Sequence, residues 1–329
     1  MNTFKSFESQ LYKVNDRSFD DIALSLFRYQ AQNNAVYRSY IANLRVNVDK
    51  IHTVRAIPFL PISFFKTKMI KTGEWDAETV FSSSGTTGST PSSHAIANLQ
   101  FYLTHSVRCF EHFFGDIRNY HFLALLPSYL ERTNSSLVAM MDHFIKCSES
   151  PHSGFYLHHT DKLLRDIENL KNDTKKVILW GVSFALLDLS ERSGPDLSHC
   201  IIFETGGMKG RRKELTRAEL HDSLRSGLNV KNIYSEYGMT ELLSQAYSKG
   251  ESVFYPSPWM KIIGRDLTDP LEKGLHNQTS GINVIDLANW HSISFIETED
   301  IGKCYHNGSF EVLGRFDNSE VRGCNLMVE

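Results

Sequence analysis

Between His94 and Tyr237 the chain alternates short apolar runs with helical periodicity, and this rhythm restricts the fold more than any other feature. His121–Leu126 (HFLALL), Lys176–Trp180 (KVILW), Cys200–Glu204 (CIIFE) and Asn232–Tyr237 read as strands. Between and before them lie helical stretches. Residues 94–114 carry Ile96, Leu99, Leu103, Val107 and Phe110 on one face. Ser135–Ile145, Asp161–Leu170 (with Thr160 to cap it), Ser183–Leu189 and Lys213–Ser226 follow. Strands alternating with helices predict an α/β fold with a large, mostly parallel, doubly wound sheet. Ahead of this body, residues 18–46 read as one helix, with Ser18 as cap and Asp20 and Asp21 in its first turn. Val54–Phe65, broken by Pro58 and Pro61, reads as extended and buried. After residue 250 the character changes. Ser292–Glu297 reads as a strand, and Asn307-Gly308 as a type I′ hairpin turn. The expected organisation is an α/β body at 1–250 and an antiparallel, β-rich portion at 251–329.

The totals exclude several classes. A net charge of −3 gives no electrostatic case for nucleic acid. The five cysteines (Cys109, Cys147, Cys200, Cys304 and Cys324) stand far apart with no Cys-x-x-Cys, against a zinc site or a disulfide framework. The N-terminal residues are polar, unlike a secretory signal, and no apolar run approaches the ~20 residues that cross a bilayer. These features predict a cytoplasmic protein without a transmembrane segment.

The chemistry points first to Phe81–Ser93, FSSSGTTGSTPSS, which runs from an extended segment toward a helix. Backbone N–H groups and hydroxyls in such a loop suit an anion, and Gly85 and Gly88 let a phosphate approach the backbone. It is neither a Walker A loop, since no lysine follows Gly88, nor a Gly-x-Gly-x-x-Gly fingerprint. A flexible Ser/Gly linker is the plain alternative. Further polar signals fall at or after predicted strand ends, where α/β sheets bind ligands. They are Gly206-Gly207, Tyr237-Gly238-Met-Thr240-Glu241, Glu299-Asp300, and Gly314-Arg315-Phe-Asp317 after the hairpin. Each alone is an ordinary turn, helix start or surface charge; their order and combination are specific. One rival is a hydrolase, with Gly181-Val-Ser183-Phe-Ala185 as an imperfect nucleophile elbow and His291 or His306 as base. Another is a nucleotide-binding scaffold without catalysis.

The combination resembles the adenylate-forming superfamily of acyl-CoA synthetases, adenylation domains and luciferases, and its motifs run from residue 81 to 317 in the family's order. The resemblance implies that Ser83, Ser84, Gly85, Thr86, Thr87 and Gly88 form the phosphate loop and Gly206-Gly207 lines the adenine pocket. It implies that Tyr237, with Gly238, stacks near adenine, Thr240 contacts the α-phosphate and Glu241 holds Mg²⁺. Asp300 and Arg315 would reach the ribose. ATP and Mg²⁺ are the implied cofactors, and a carboxylic acid the implied substrate. Joining two anions needs a cation, backbone donors and an ordered approach, which suits such a site. Two features depart from the pattern. The loop lacks the family's lysine and has one extra residue at Ser89–Ser92. The chain stops twelve residues after Asp317, so the mobile C-terminal domain with its adenylation lysine is expected to be absent. That lysine is then missing, supplied by another protein, or replaced by Lys66, Lys68 or Lys209. The short end most resembles the acyl-protein synthetase branch, the fatty-acid-activating component of the bacterial bioluminescence fatty acid reductase. The branch implies an acyl-accepting cysteine, Cys324, with Arg322 favouring its thiolate, and an acyl-reductase or carrier-protein partner.

Overall fold

A computed structural model describes residues 7–83, 90–127, 134–192, 195–206, 215–269, 272, 274 and 276–316. The N-terminal segment forms α1 (Glu8–Leu11), α2 (Phe19–Asn33) and α3 (Ala35–Asn43). The single helix expected over 18–46 is divided at Asn34. Its extended backbone lets the side chain accept from Tyr37 N and start a second helix. Ser18 makes no side-chain cap. Next come a 3-10 turn (Val54–Ala56), the short strand β1 (Leu60–Pro61) and a second 3-10 turn (Ile62–Lys66).

The 94–114 helix starts later than its periodicity suggests. Ser93–Ile96 is strand β3, paired antiparallel with β2 (Thr79–Ser82), and Asn98 caps α4 (Leu99–Phe114) through Phe101 N. Hairpin pairing satisfies the backbone of 93–96, so the helix begins at the first residue free of it.

The body then alternates as expected: β4 (Tyr120–Leu125), α5 (Ser136–Cys147), β5 (Gly154–Phe155), α6 (Thr160–Asn169), β6 (Lys176–Val182), α7 (Ser183–Ser190), β7 (Ile201–Thr205), α8 (Arg217–Leu228) and β8 (Ile233–Tyr237). Thr160 is the first residue of α6 and not its cap. In α8, Thr216 and Glu219 close a capping box. Strands β4 to β8 are parallel. The central strands β4 and β6 are buried almost along their whole length. One face holds a block of aromatic rings in which Trp180 and Phe203 stack at 4.3 Å and Phe110 meets both.

After β8 the pairing turns antiparallel through β9 (Ala246–Ser248), β10 (Val253–Pro256), β11 (Met260–Arg265), β12 (Thr279–Asp286), β13 (Phe295–Cys304) and β14 (Phe310–Arg315). The sheet has twelve strands in the order β11-β12-β13-β14-β10-β9-β8-β7-β6-β4-β5, with β1 beside β13. The hairpin turn at Asn307-Gly308 is not type I′. Only Gly308 has positive φ (82°), and Asn307 Oδ1 instead accepts from Ser309 N and Oγ. No helix among the described residues is long and apolar enough to cross a membrane.

Candidate active site

The parallel and antiparallel halves meet at β8, and the segment after Tyr237 lies at that junction. Its loop is fixed from below by Asp286, which is fully buried at the end of β12. Asp286 accepts from Leu243 N (2.8 Å), Ser244 N (3.0 Å) and Ser244 Oγ (2.6 Å). Two further bonds hold the loop's backbone. His94 Nδ1 meets Thr240 O at 2.8 Å, and Asn289 Nδ2 donates to Glu241 O at 2.7 Å. Burial lowers His94 to about 4, so the ring is neutral and its Nδ1–H donates to Thr240 O.

On this platform three residues from three strands join. Asp300 on β13 is the register partner of Arg315 on β14. Asp300 Oδ1 accepts from Arg315 Nε (2.9 Å) and Oδ2 from Tyr237 Oη (2.8 Å). Asp300 is 4% exposed, whereas the Arg315 side chain, bonded to it through Nε, is 69% exposed. The Tyr237 ring is 7% exposed and packs against Phe254 and Phe310, so it offers the cleft only a small surface.

Glu241 is 6% exposed. Burial pushes its carboxyl up, while the Ser92 hydroxyl, its own backbone N–H, Arg315 and Lys66 favour the charged form. Gly238 leaves room for the Glu236 carboxyl: a Cβ there would lie 2.1 Å from Glu236 Oε1, which would have to shift. Burial, with Glu204 nearby, raises the Glu236 carboxyl to about 7 against a bond from Thr205 (2.7 Å).

The neck of the Ser/Thr/Gly loop is closed by a reciprocal pair. Ser83 N donates to Ser92 O (3.1 Å), and Ser92 N donates to Ser83 Oγ (2.9 Å). On the far side of the neck, Ser92 lies beside Glu241. Ser84, Gly85, Thr86, Thr87, Gly88, Gly207, Lys209, Asp317, Arg322 and Cys324 lie outside the described residues. Gly206 has φ +68° and its carbonyl accepts from Ser183 Oγ at 2.7 Å.

That last bond bears on the hydrolase alternative. Ser183 is 1% exposed, and its hydroxyl is also 3.3 Å from Glu204 Oε2. The histidine of this cluster, His221, approaches Glu204 Oε1 (3.4 Å). The serine therefore donates to a carbonyl and a carboxylate, with no imidazole placed to take its proton.

Sequence reasoning passed over Ser92, His94, Glu236, Asp286 and Asn289. Asp286 had a signal: a lone acid ending the apolar run Ile282–Ile285 must find donors. The others became legible only through the hairpin and loop contacts.

Mg²⁺ takes one or two carboxylates and fills its other positions with phosphate oxygens and water. Glu241, alone and next to the Ser92 hydroxyl, fits that pattern. No cluster of three or more His, Cys, Asp or Glu able to hold a metal occurs among the described residues.

No family model matches the chain. The long-chain-fatty-acid–luciferin-component ligase of Aliivibrio fischeri is 24% identical over 334 residues, covering 93% of this chain and 86% of that protein. A 2-hydroxyisobutyryl-CoA ligase, solved in an open conformation with 2-HIB-AMP and CoA, superposes with a TM-score of 0.68. It is 11% identical and covers 92% of this chain and 75% of its own. The O-succinylbenzoate coenzyme A synthetase of Bacillus subtilis, solved with ATP and magnesium ion, gives 0.52 at 18% identity. It covers 74% of this chain, which spans only 51% of the synthetase. The fold is that of the adenylate-forming acyl-CoA ligases.

Proposed function

We propose that this chain activates a carboxylic acid with ATP, forming an acyl adenylate and releasing pyrophosphate. The observation that carries the reading is the meeting of Tyr237, Asp300 and Arg315 beside Glu241 at the carboxyl end of β8. In this reading the acid's oxygen attacks the α-phosphorus, a new P–O bond forms, and the bond to pyrophosphate breaks. The chain supplies position and charge and no covalent intermediate. Asp300 and Arg315 hold the ribose, Gly206-Gly207 borders the base, and Ser83–Gly88 wraps the phosphates. The Thr240 side chain meets the α-phosphate. Glu241 would hold Mg²⁺, which would neutralise phosphate charge and favour the ionised carboxylate that burial opposes.

The relative from Aliivibrio fischeri, a ligase of a long-chain fatty acid and a luciferin component, supports a long-chain fatty acid as the substrate. In the finer reading the acyl group passes to a thiol, Cys324 of this chain or one on a carrier or reductase. The test is acid-dependent ATP–pyrophosphate exchange across acetate, octanoate, tetradecanoate and benzoate. Mass spectrometry of the Cys324 peptide after incubation with ATP and the best acid follows. Exchange with tetradecanoate and an acyl thioester on Cys324 are expected. ATP binding with no exchange for any acid would leave the scaffold reading. Exchange without acylation of Cys324 would remove that thiol from the path.

A further inference from the structure

We propose that Lys66 is the cation that faces the nucleotide's phosphates during adenylation, an inference that rests on the function proposed above. Its position follows from the fold. β1 runs parallel to β13, pairing Leu60 with Ile296 and Pro61 with Glu297. The turn Ile62–Lys66 is thereby carried along β13 toward Asp300. Phe65 locks it in place. Its ring is 1% exposed and meets the edge of His94 at 5.5 Å and 82°. His94 in turn bonds Thr240 O. The turn that bears Lys66 is thus fastened through one imidazole to the loop that bears Glu241.

Lys66 Nζ stands 3.7 Å from Glu299 Oε1, beyond hydrogen-bond distance, and its side chain is 37% exposed. Of the two cations that act on the Glu241 carboxyl, Arg315 is already bonded to Asp300. Lys66 is the one held only by a loose, partly solvated pair, and such a pair contributes little to folding. Lys66 also acts on the Glu241 carboxyl, so it lies near two acids of this region. Lys71, by contrast, bonds Trp75 O and lies over the Trp75 ring.

With ATP in the cleft, the ammonium leaves Glu299 for phosphate oxygens. As the acid's oxygen bonds to phosphorus and the pyrophosphate leaves with the electron pair, charge gathers on the leaving group. A fixed cation there lowers the barrier. Lys66 is then a catalytic residue, not an anchor.

The experiment uses two readouts. In the first, Lys66→Met, Lys66→Arg and Lys68→Met are compared with wild type in acid-dependent pyrophosphate exchange. The expected result is a fall in kcat of about 10²-fold for Lys66→Met. Lys66→Arg should recover part of it, and Lys68→Met should stay within twofold. Melting temperatures should match throughout. In the second, acetic anhydride labels lysines with and without Mg-ATP, and peptides are read by mass spectrometry. ATP should cut labelling of Lys66 at least fivefold and leave Lys68 unchanged. Lys66→Met within twofold of an active wild type overturns the proposal, as does equal labelling with and without ATP. If no acid supports exchange, the proposed activity fails on its own, and the labelling alone decides. Protection then supports Lys66 at the phosphates, and its absence overturns that placement.

Discussion

Two groups of acids flank β8, and they differ in how their charge is used. Behind the strand, Glu204 is closed. Its Oε1 takes Arg217, Ser235 (2.8 Å) and His221, and its Oε2 takes Ser183. Burial opposes its charge, yet Arg217, His221 and Ser235 outweigh burial and hold its carboxyl below the usual value. At the strand's carboxyl end, Lys66 and Arg315 both act on Glu241, Lys66 lies 3.7 Å from Glu299, and both cations keep substantial exposure. One group is held by close, mostly buried donors and the other by more exposed cations. Residue type does not separate them; the number of donors already committed does.

The largest expected effect comes from opening the closed group. Glu204→Gln leaves Arg217 without its charge and disturbs three donors at once, so unfolding free energy should fall by ~3 kcal/mol in urea titration. The folded fraction should bind ATP as wild type does. A loss of binding without a loss of stability would reverse the contrast drawn between the two groups.

Glu241→Gln should do the opposite. The carboxyl is already disfavoured in its charged form, so the isosteric amide should leave stability within about 1 kcal/mol. Adenylate formation should drop by about 10²-fold or more. Unchanged exchange would take Glu241 out of the site. Tyr237→Phe should fall between these cases. It removes one donor from Asp300, for ~1 kcal/mol and roughly a tenfold weaker ATP affinity, read by calorimetry.

The body was legible in the sequence because its strands are short apolar runs separated by amphipathic helices, and local patterning decides such elements. Tyr237–Glu241, Asp300 and Arg315 stood out because they follow strand ends, and hydrogen bonds join Tyr237, Asp300 and Arg315. What failed was boundary chemistry. Ser93–Ile96 carries an apolar residue at helical spacing, yet it pairs with β2, a partner that no local window reveals. Asn34 breaks a continuous helical pattern because its side chain bonds Thr72 (3.2 Å) and Ser292 O (3.0 Å) far along the chain. Lys66 stood level with Lys68 and Lys209 in the sequence, since only the β1–β13 pairing brings it to Glu299.

The smallest expected effect concerns Glu236, which sits between the two groups. Its carboxyl stands at about 7 in place of 4.5, so the folded chain holds this proton more tightly than the unfolded one. That contribution is complete below pH 4.5 and is lost as pH rises through 7. His94 and His105 act in the other sense. Burial lowers them to about 4 and about 3 from 6.5, so they cost stability as pH falls below 6.5. Glu236→Gln removes only the first contribution. The variant should match wild type near pH 5 and exceed it by about 1 kcal/mol at pH 8, the carboxyl's partial exposure limiting the gain. Urea midpoints at the two pH values read the difference directly. Parallel curves would mean that Thr205 and the Gly238 turn hold Glu236 charged, and would move it from the boundary into the closed group.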